Sequence, residues 1–234
     1  MKLQTIVDIK PSGWKIGYED KILMLGSCFS DEIGEQMKQR NLQVTCNPFG
    51  TLYNPLSIAN AINLQILKSS NCKLPLVEHD GLWHSMAHHG SFSRPTKEET
   101  EAAVMQSVEK MQRALAEATV VIVTFGTAWV YEMGGQIVGN CHKLPADTFT
   151  RRRLSVEEIV AVWQPIIARY PDKHWLFTVS PIRHIKDGLH ENQLSKATLL
   201  MAIDQMVNGK WANGKLHYFP SYEILLDELR DYRF

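Results

Sequence analysis

No stretch of this sequence approaches the apolar length that spans a bilayer, and the opening MKLQTIVDIK carries no apolar leader segment. Net charge is also missing: 25 Lys and Arg balance 25 Asp and Glu. A surface built to grip nucleic acid or anionic lipid would show an excess of positive charge, so neither partner is expected. Cysteine is scarce. Cys28, Cys46, Cys72 and Cys141 stand far apart, with no CxxC pair. That spacing argues against a disulfide framework and for reduced thiols in a cytoplasmic protein. Repeats, low-complexity tracts and evident linkers are absent too. What remains is 234 residues, 44% hydrophobic and 21% charged, enough to bury the core of a single domain over 1–234.

Short apolar runs alternate with helical patterns. Strands are expected at 22–25 (ILML), 120–125 (VVIVTF), 175–179 (WLFTV) and 216–219 (LHYF). Helices are expected at about 31–40, capped by Ser30, then after Thr96 and Ser155, and at about 192–207. Thr96 with Glu99, and Ser155 with Glu158, have the capping-box spacing in which each end satisfies an orphan amide. Continuous apolar strands separated by helices predict an α/β fold, with a mostly parallel sheet covered on both faces. The segment 72–95 is the longest irregular stretch and reads as a loop or insertion beside the active site. The acidic run 223–231 reads as the solvated face of a helix, and Arg151 to Arg153 as a loop.

In a doubly wound sheet, ligands bind beyond the carboxyl ends of the strands. Those ends are GSCFS at 26–30, Gly126 with Thr127, and SPIRH at 180–184. At a strand-to-helix turn the helix amino end favours negative charge, so a thiol at Cys28 would be activated, whereas Ser27 would need a base. The plainer reading is a tight glycine turn capped by Ser27 or Ser30. Arg183 has the fork that binds a carboxylate or phosphate, or it serves as a surface ion pair. His184 closes the third apolar strand and points toward the same edge.

LGSCF at 25–29, NPFGTLYNP at 47–55, TFGT at 124–127, SPIRH at 180–184, Asn192 with SKA at 195–197, and YFPSYE at 218–223 occur in order. Together they resemble the GSCFA family, from about residue 22 to the C-terminus. That family in turn is similar to the SGNH (GDSL-like) hydrolases. The resemblance implies a flavodoxin-like three-layer sandwich and an esterase or acyltransferase acting on an acyl ester, plausibly of a carbohydrate. A non-catalytic relative that binds a glycan or similar ligand is the alternative.

Laid on the SGNH blocks, Gly26 matches the glycine of Gly-Asp-Ser and Cys28 falls on the nucleophile. Ser27 keeps the conventional chemistry, and both stay candidates, with Cys28 preferred. Asn47 and Gly50 fall in the second block, where Gly50 would lend an oxyanion amide. The third block lacks its asparagine, leaving Thr127 as donor; the plainer reading is a glycine ending a strand, with Trp129 as core. A literal Asp-x-x-His stands at Asp187 and His190, but it follows the penultimate strand. The family pair is expected beyond Phe234, so the chain is expected to be truncated, with His184 or His190 as an improvised base.

His84, His88 and His89 cluster in the 72–95 segment. The i, i+4 pair would suit a metal on a helix, yet no cysteine joins it, so no metal and no cofactor are expected. Instead, His88, His89 and His142 are expected to line the substrate cleft, with Trp83 and Phe92 as sugar-stacking surfaces. The sequence sets no oligomeric state.

Overall fold

Residues Val120–Phe125 are six consecutive buried side chains, four of them valine or isoleucine, and such a run can only sit where both faces are covered. In the computed structural model, which describes residues 4–9, 11–64, 76–186, 188–209, 214–231 and 233, this run is the middle strand of the sheet. In chain order the strands are β1 (Lys21–Gly26), β2 (Gln43–Cys46), β3 (Leu76–His79), β4 (Leu82–Ser85) and β5 (Val120–Phe125). They continue with β6 (Trp129–Met133), β7 (Gln136–Val138), β8 (Thr150–Arg153), β9 (His174–Val179) and β10 (Leu216–Phe219). The long helices are α1 (Cys28–Gln39), α2 (Pro55–Leu64), α3 (Lys97–Glu117), α4 (Val156–Arg169) and α5 (Leu189–Asn208).

The central sheet runs β10-β9-β5-β1-β2, every neighbour parallel. Numbered by sheet strand alone, that order is 2-1-3-4-5, the flavodoxin-like arrangement, whose switch point lies between the first and third strands. All four predicted strands are present and parallel. Alternate residues face opposite layers. Leu23, Leu25, Val121, Val123, Trp175 and Phe177 pack with α2 to α5, while Ile22, Met24, Val120 and Ile122 pack with Met37 of α1 and with Trp14 and Ile16.

Several expectations are corrected. The fifth strand, β2, was not foreseen, because Gln43–Cys46 is a half-exposed edge with no apolar run. Helix α1 begins at Cys28 with Ser27 as its N-cap residue, not at 31 behind Ser30. The Ser30 hydroxyl instead donates to Leu25 O and Thr124 Oγ1, tying β1 to β5. The described part of 72–95 is not irregular: β3 and β4 form an antiparallel hairpin there. The acidic run forms a short helical turn, Ser221–Glu223, followed by a π-helical turn, Ile224–Glu228. The Ser155 box is reciprocal, whereas Thr96 accepts from Glu99 N at its helix start.

The end of β1 depends on glycine. Gly26 has φ +133°, and a Cβ there would collide with the Thr124 carbonyl of β5. Its N–H donates to Asn47 Oδ1 at 2.8 Å. Gly26→Ala should therefore cost about 3 kcal/mol, from backbone strain and forced separation of β1 from β5. Urea unfolding would read this, and an unchanged midpoint would refute it.

Candidate functional site

At the β1/β5 switch point, the strand ends open onto a cavity of about 450 Å³. Its floor holds Cys28, Tyr53, Thr127 and His184. A small three-stranded sheet, β7-β6-β8, builds one wall through Trp129, Tyr131, Val138 and Arg151, and the segment 139–141 extends it. Arg183 and Lys186 complete the lining. Chain segments about 150 residues apart thus meet at one sheet edge.

Cys28 is the first residue of α1, and its thiol is exposed. Helix geometry leaves the amides of Cys28 and Phe29 without intrahelical partners, so they are available to a negative charge at this turn. Ser27 is different: it is 1% exposed and its hydroxyl has no hydrogen-bond partner. An attacking group has to reach the substrate, and of the two only Cys28 lines the cavity.

His184 is the imidazole of this cavity. Its backbone N–H donates to Asn192 Oδ1 at 3.0 Å, and its ring meets Tyr53 edge-on at 5.5 Å between centroids. Its Nε2 is buried without a partner. Burial, aided by the nearby Lys196 ammonium, lowers its pKa to about 4, so the ring is neutral at pH 7. Lys196 is itself 1% exposed and donates to Gly126 O and Ser180 O, both at 2.7 Å. It clamps the carboxyl ends of β5 and β9, and burial lowers its pKa to about 7.

The remaining predicted residues have other duties. Asn47 donates through Nδ2 to Asp31 Oδ1 at 2.8 Å while its Oδ1 holds Gly26, so it is a brace for the β1 turn. The Gly50 amide donates to Asn47 O at 2.8 Å, a Cβ at Gly50 would strike His89, and Gly50 does not line the cavity. The Thr127 amide donates to Tyr53 O, and its hydroxyl pairs with Ser195 Oγ at 3.1 Å while accepting from Trp129 N. Arg183 both lines the cavity and pairs with Asp231 at 2.6 Å.

The histidine segment does not wall the cleft. His88 is fully buried, stacks on Phe49 at 4.2 Å, and bonds Ser85 Oγ and Ser107 Oγ. His142 bonds Ser85 O and lies tilted against His84, with ring centroids 4.6 Å apart. His89 caps a short turn, bonding Ser91, and Trp83 and Phe92 also lie off the cavity lining. These rings are packing groups, satisfied by local hydroxyls and carbonyls. His190 is exposed on the first turn of α5 and does not line the cavity; Asp187 lies outside the described residues. Among the described residues no three His, Cys, Asp or Glu side chains cluster as metal ligands would, and no helix is long and apolar enough to cross a membrane.

Sequence reasoning missed Tyr53, Tyr131, Arg151, Lys186 and Lys196, and Trp129 entered it only as core in the plainer reading of that strand end. One signal was available. In β6 the alternation Trp129, Val130, Tyr131 sends Val130 inward and leaves both aromatics half-buried on the cavity side. β8 then sets Arg151 opposite Tyr131.

No curated protein and no solved structure matches this chain. The sequence model described as GSCFA family matches residues 21–234, nearly the whole chain, and the protein belongs to the GSCFA family.

Proposed function

We propose that this protein hydrolyses or transfers an acyl group from an ester, with Cys28 as nucleophile, His184 as base and a carbohydrate as the alcohol. The observation that carries the reading is one cavity at the β1/β5 switch point that holds both an exposed thiol at a helix amino end and a neutral imidazole with an unpartnered Nε2. The resemblance of its blocks to the SGNH hydrolases supports the same chemistry. So do the aromatic faces of Trp129 and Tyr131, which suit a sugar ring.

In the proposed sequence, His184 Nε2 takes the thiol proton as Cys28 Sγ attacks the carbonyl carbon. The amides of Cys28 and Phe29 meet the developing oxyanion. The C–O bond breaks as the alkoxide takes the proton from His184, leaving a thioester. Water, or a second alcohol, then gives a proton to His184 as it adds to the thioester carbonyl, and the C–S bond breaks as Sγ takes that proton, restoring the thiol. Such a thiol must stay reduced, which fits a cytoplasmic setting.

One observation favours a binding protein instead: at a pKa of about 4, His184 is a weaker base than one tuned to neutral pH. A panel of short-chain p-nitrophenyl esters, followed by kinetics and mass spectrometry, separates the readings. The expected result is repeated turnover with an acyl adduct on Cys28. Neither Cys46 nor Cys141 should acylate comparably, since burial raises both thiols' pKa. Ligand binding without turnover or adduct would establish the binding reading.

A further inference from the structure

Attack by Cys28 on a carbonyl places negative charge on oxygen, and most of the donors expected for that charge are engaged elsewhere. The Gly50 amide bonds Asn47 O, and the Thr127 amide bonds Tyr53 O. The Thr127 hydroxyl pairs with Ser195 Oγ and accepts from Trp129 N. The block that opens at Gly126 brings no asparagine. That leaves the two amides at the start of α1.

Tyr53 offers a further donor. It lines the cavity together with Cys28 and His184. Its hydroxyl has no hydrogen-bond partner among the described residues, and unlike Ser27 Oγ and His184 Nε2 it is not sealed from solvent. A phenol in that state has one proton to donate and no group of the protein receiving it.

The residue is also held in place. Its carbonyl accepts from Gly126 N at 2.7 Å and from Thr127 N at 3.0 Å, which fixes it to the end of β5. The ring meets His184 edge-on, with centroids 5.5 Å apart. Gly126 packs so closely on both rings that a Cβ there would stand 3.3 Å from Tyr53 Cδ1 and 3.4 Å from His184 Nε2. A donor anchored in this way needs little reorganisation when charge develops beside it. Burial raises the pKa of the phenol, and the negative charges of Cys28 and Asp31 raise it further. The proton therefore stays on Oη at neutral pH, and the phenol is near enough to Cys28 to feel its charge.

The geometry points to Tyr53 as a catalytic residue, whose Oη–H donates a hydrogen bond to the substrate's carbonyl oxygen as Cys28 Sγ adds to the carbonyl carbon. The π pair of the carbonyl moves onto oxygen, the hydrogen bond strengthens, and the phenol keeps its proton. When the C=O bond re-forms, the hydrogen bond weakens again, so the donor favours the transition state over the bound ester. The inference rests on the acyl-transfer reading for the ester, but the donor itself is measurable on a stable adduct without turnover.

Tyr53→Phe removes the hydroxyl while keeping the ring and the carbonyl clamp, so its urea-unfolding midpoint should match that of the unaltered protein. On a p-nitrophenyl ester its kcat should fall about a hundredfold with KM nearly unchanged, the signature of a donor used only in the transition state. A second measurement needs no ester. Trifluoroacetone, a neutral ketone, takes Cys28 Sγ at its carbonyl carbon to give a thiohemiketal whose oxygen stands in for the oxyanion. Fluorine NMR reads the dissociation constant of that adduct and the pH at which its oxygen ionises. Tyr53→Phe should weaken the adduct about tenfold and raise that pH, whereas loss of a hydroxyl that only packs would move neither. Ester turnover by Tyr53→Phe within about threefold of the unaltered protein overturns the assignment and leaves acyl transfer standing. Absence of a ketone adduct on Cys28 of the unaltered protein, or an adduct equal in both proteins, overturns it as well. An adduct that Tyr53→Phe weakens, with no ester turnover in either protein, leaves Tyr53 as the oxyanion donor and defeats the acyl-transfer reading alone.

Discussion

Replacing Cys28 by alanine should lower kcat/KM on an activated ester at least about a thousandfold, and should abolish the acyl adduct. Loss of a nucleophile is not rescued by its neighbours, because base and oxyanion donors then have nothing to activate. Ser27→Ala is the informative contrast. The Ser27 hydroxyl is buried without a partner, so removing it takes away an unsatisfied polar group and leaves stability within about 1 kcal/mol. Activity of Ser27→Ala should remain near that of the unaltered protein. Steady-state kinetics on both variants decides the assignment. Full activity in Cys28→Ala, or a thousandfold loss in Ser27→Ala with folding intact, would move the nucleophile to the serine.

The protein should also lose stability in acid, with a definite sign and window. Burial holds His88 neutral down to about pH 3 and His184 down to about 4, whereas an ordinary imidazole protonates near 6.5. Between those values the unfolded chain binds more protons than the native one, so stability falls as pH falls. The contribution is complete above pH 6.5 and is lost progressively below it, at about 1.4 kcal/mol per pH unit for each histidine.

His88→Leu removes one of these titrations. It should cost about 1–2 kcal/mol at pH 7, where the bonds to Ser85 and Ser107 are lost. Its urea-unfolding free energy should then fall less steeply between pH 6 and 4, by about 1.4 kcal/mol per unit. Equal slopes for the two proteins would mean that His88 is not held neutral. A second consequence concerns the cavity: His184 gains a proton only near pH 4, so above that pH its ring stays neutral.

The parts of the fold that could be read in advance are those where one local signal suffices. Val120–Phe125 is apolar over its whole length, and only a central parallel strand hides both faces of such a run. Trp175 and Phe177, buried in the core, and the Ser155 box were readable on the same grounds. Edge strand β2 was not, because one exposed side removes the demand for an apolar sequence. Nor was the β3–β4 hairpin, whose four-residue strands are held by pairing rather than by composition.

The site divides along the same line. Cys28, Thr127, Arg183 and His184 were readable because a strand end in a doubly wound sheet is a topological position, and position follows from element order. Which histidines line the cavity was not readable. Imidazole is equally at home stacked on Phe49 between two serine hydroxyls, as His88 is, or facing an open cavity, as His184 is. The sequence by itself determined the alternation of elements, the order of the strands' carboxyl ends and the family. Only the tertiary structure decided that Ser27 is sealed while Cys28 is open, and that Arg151 comes from a separate small sheet to line the cavity. Burial and cross-strand contact join residues far apart in the chain, and no local pattern encodes them.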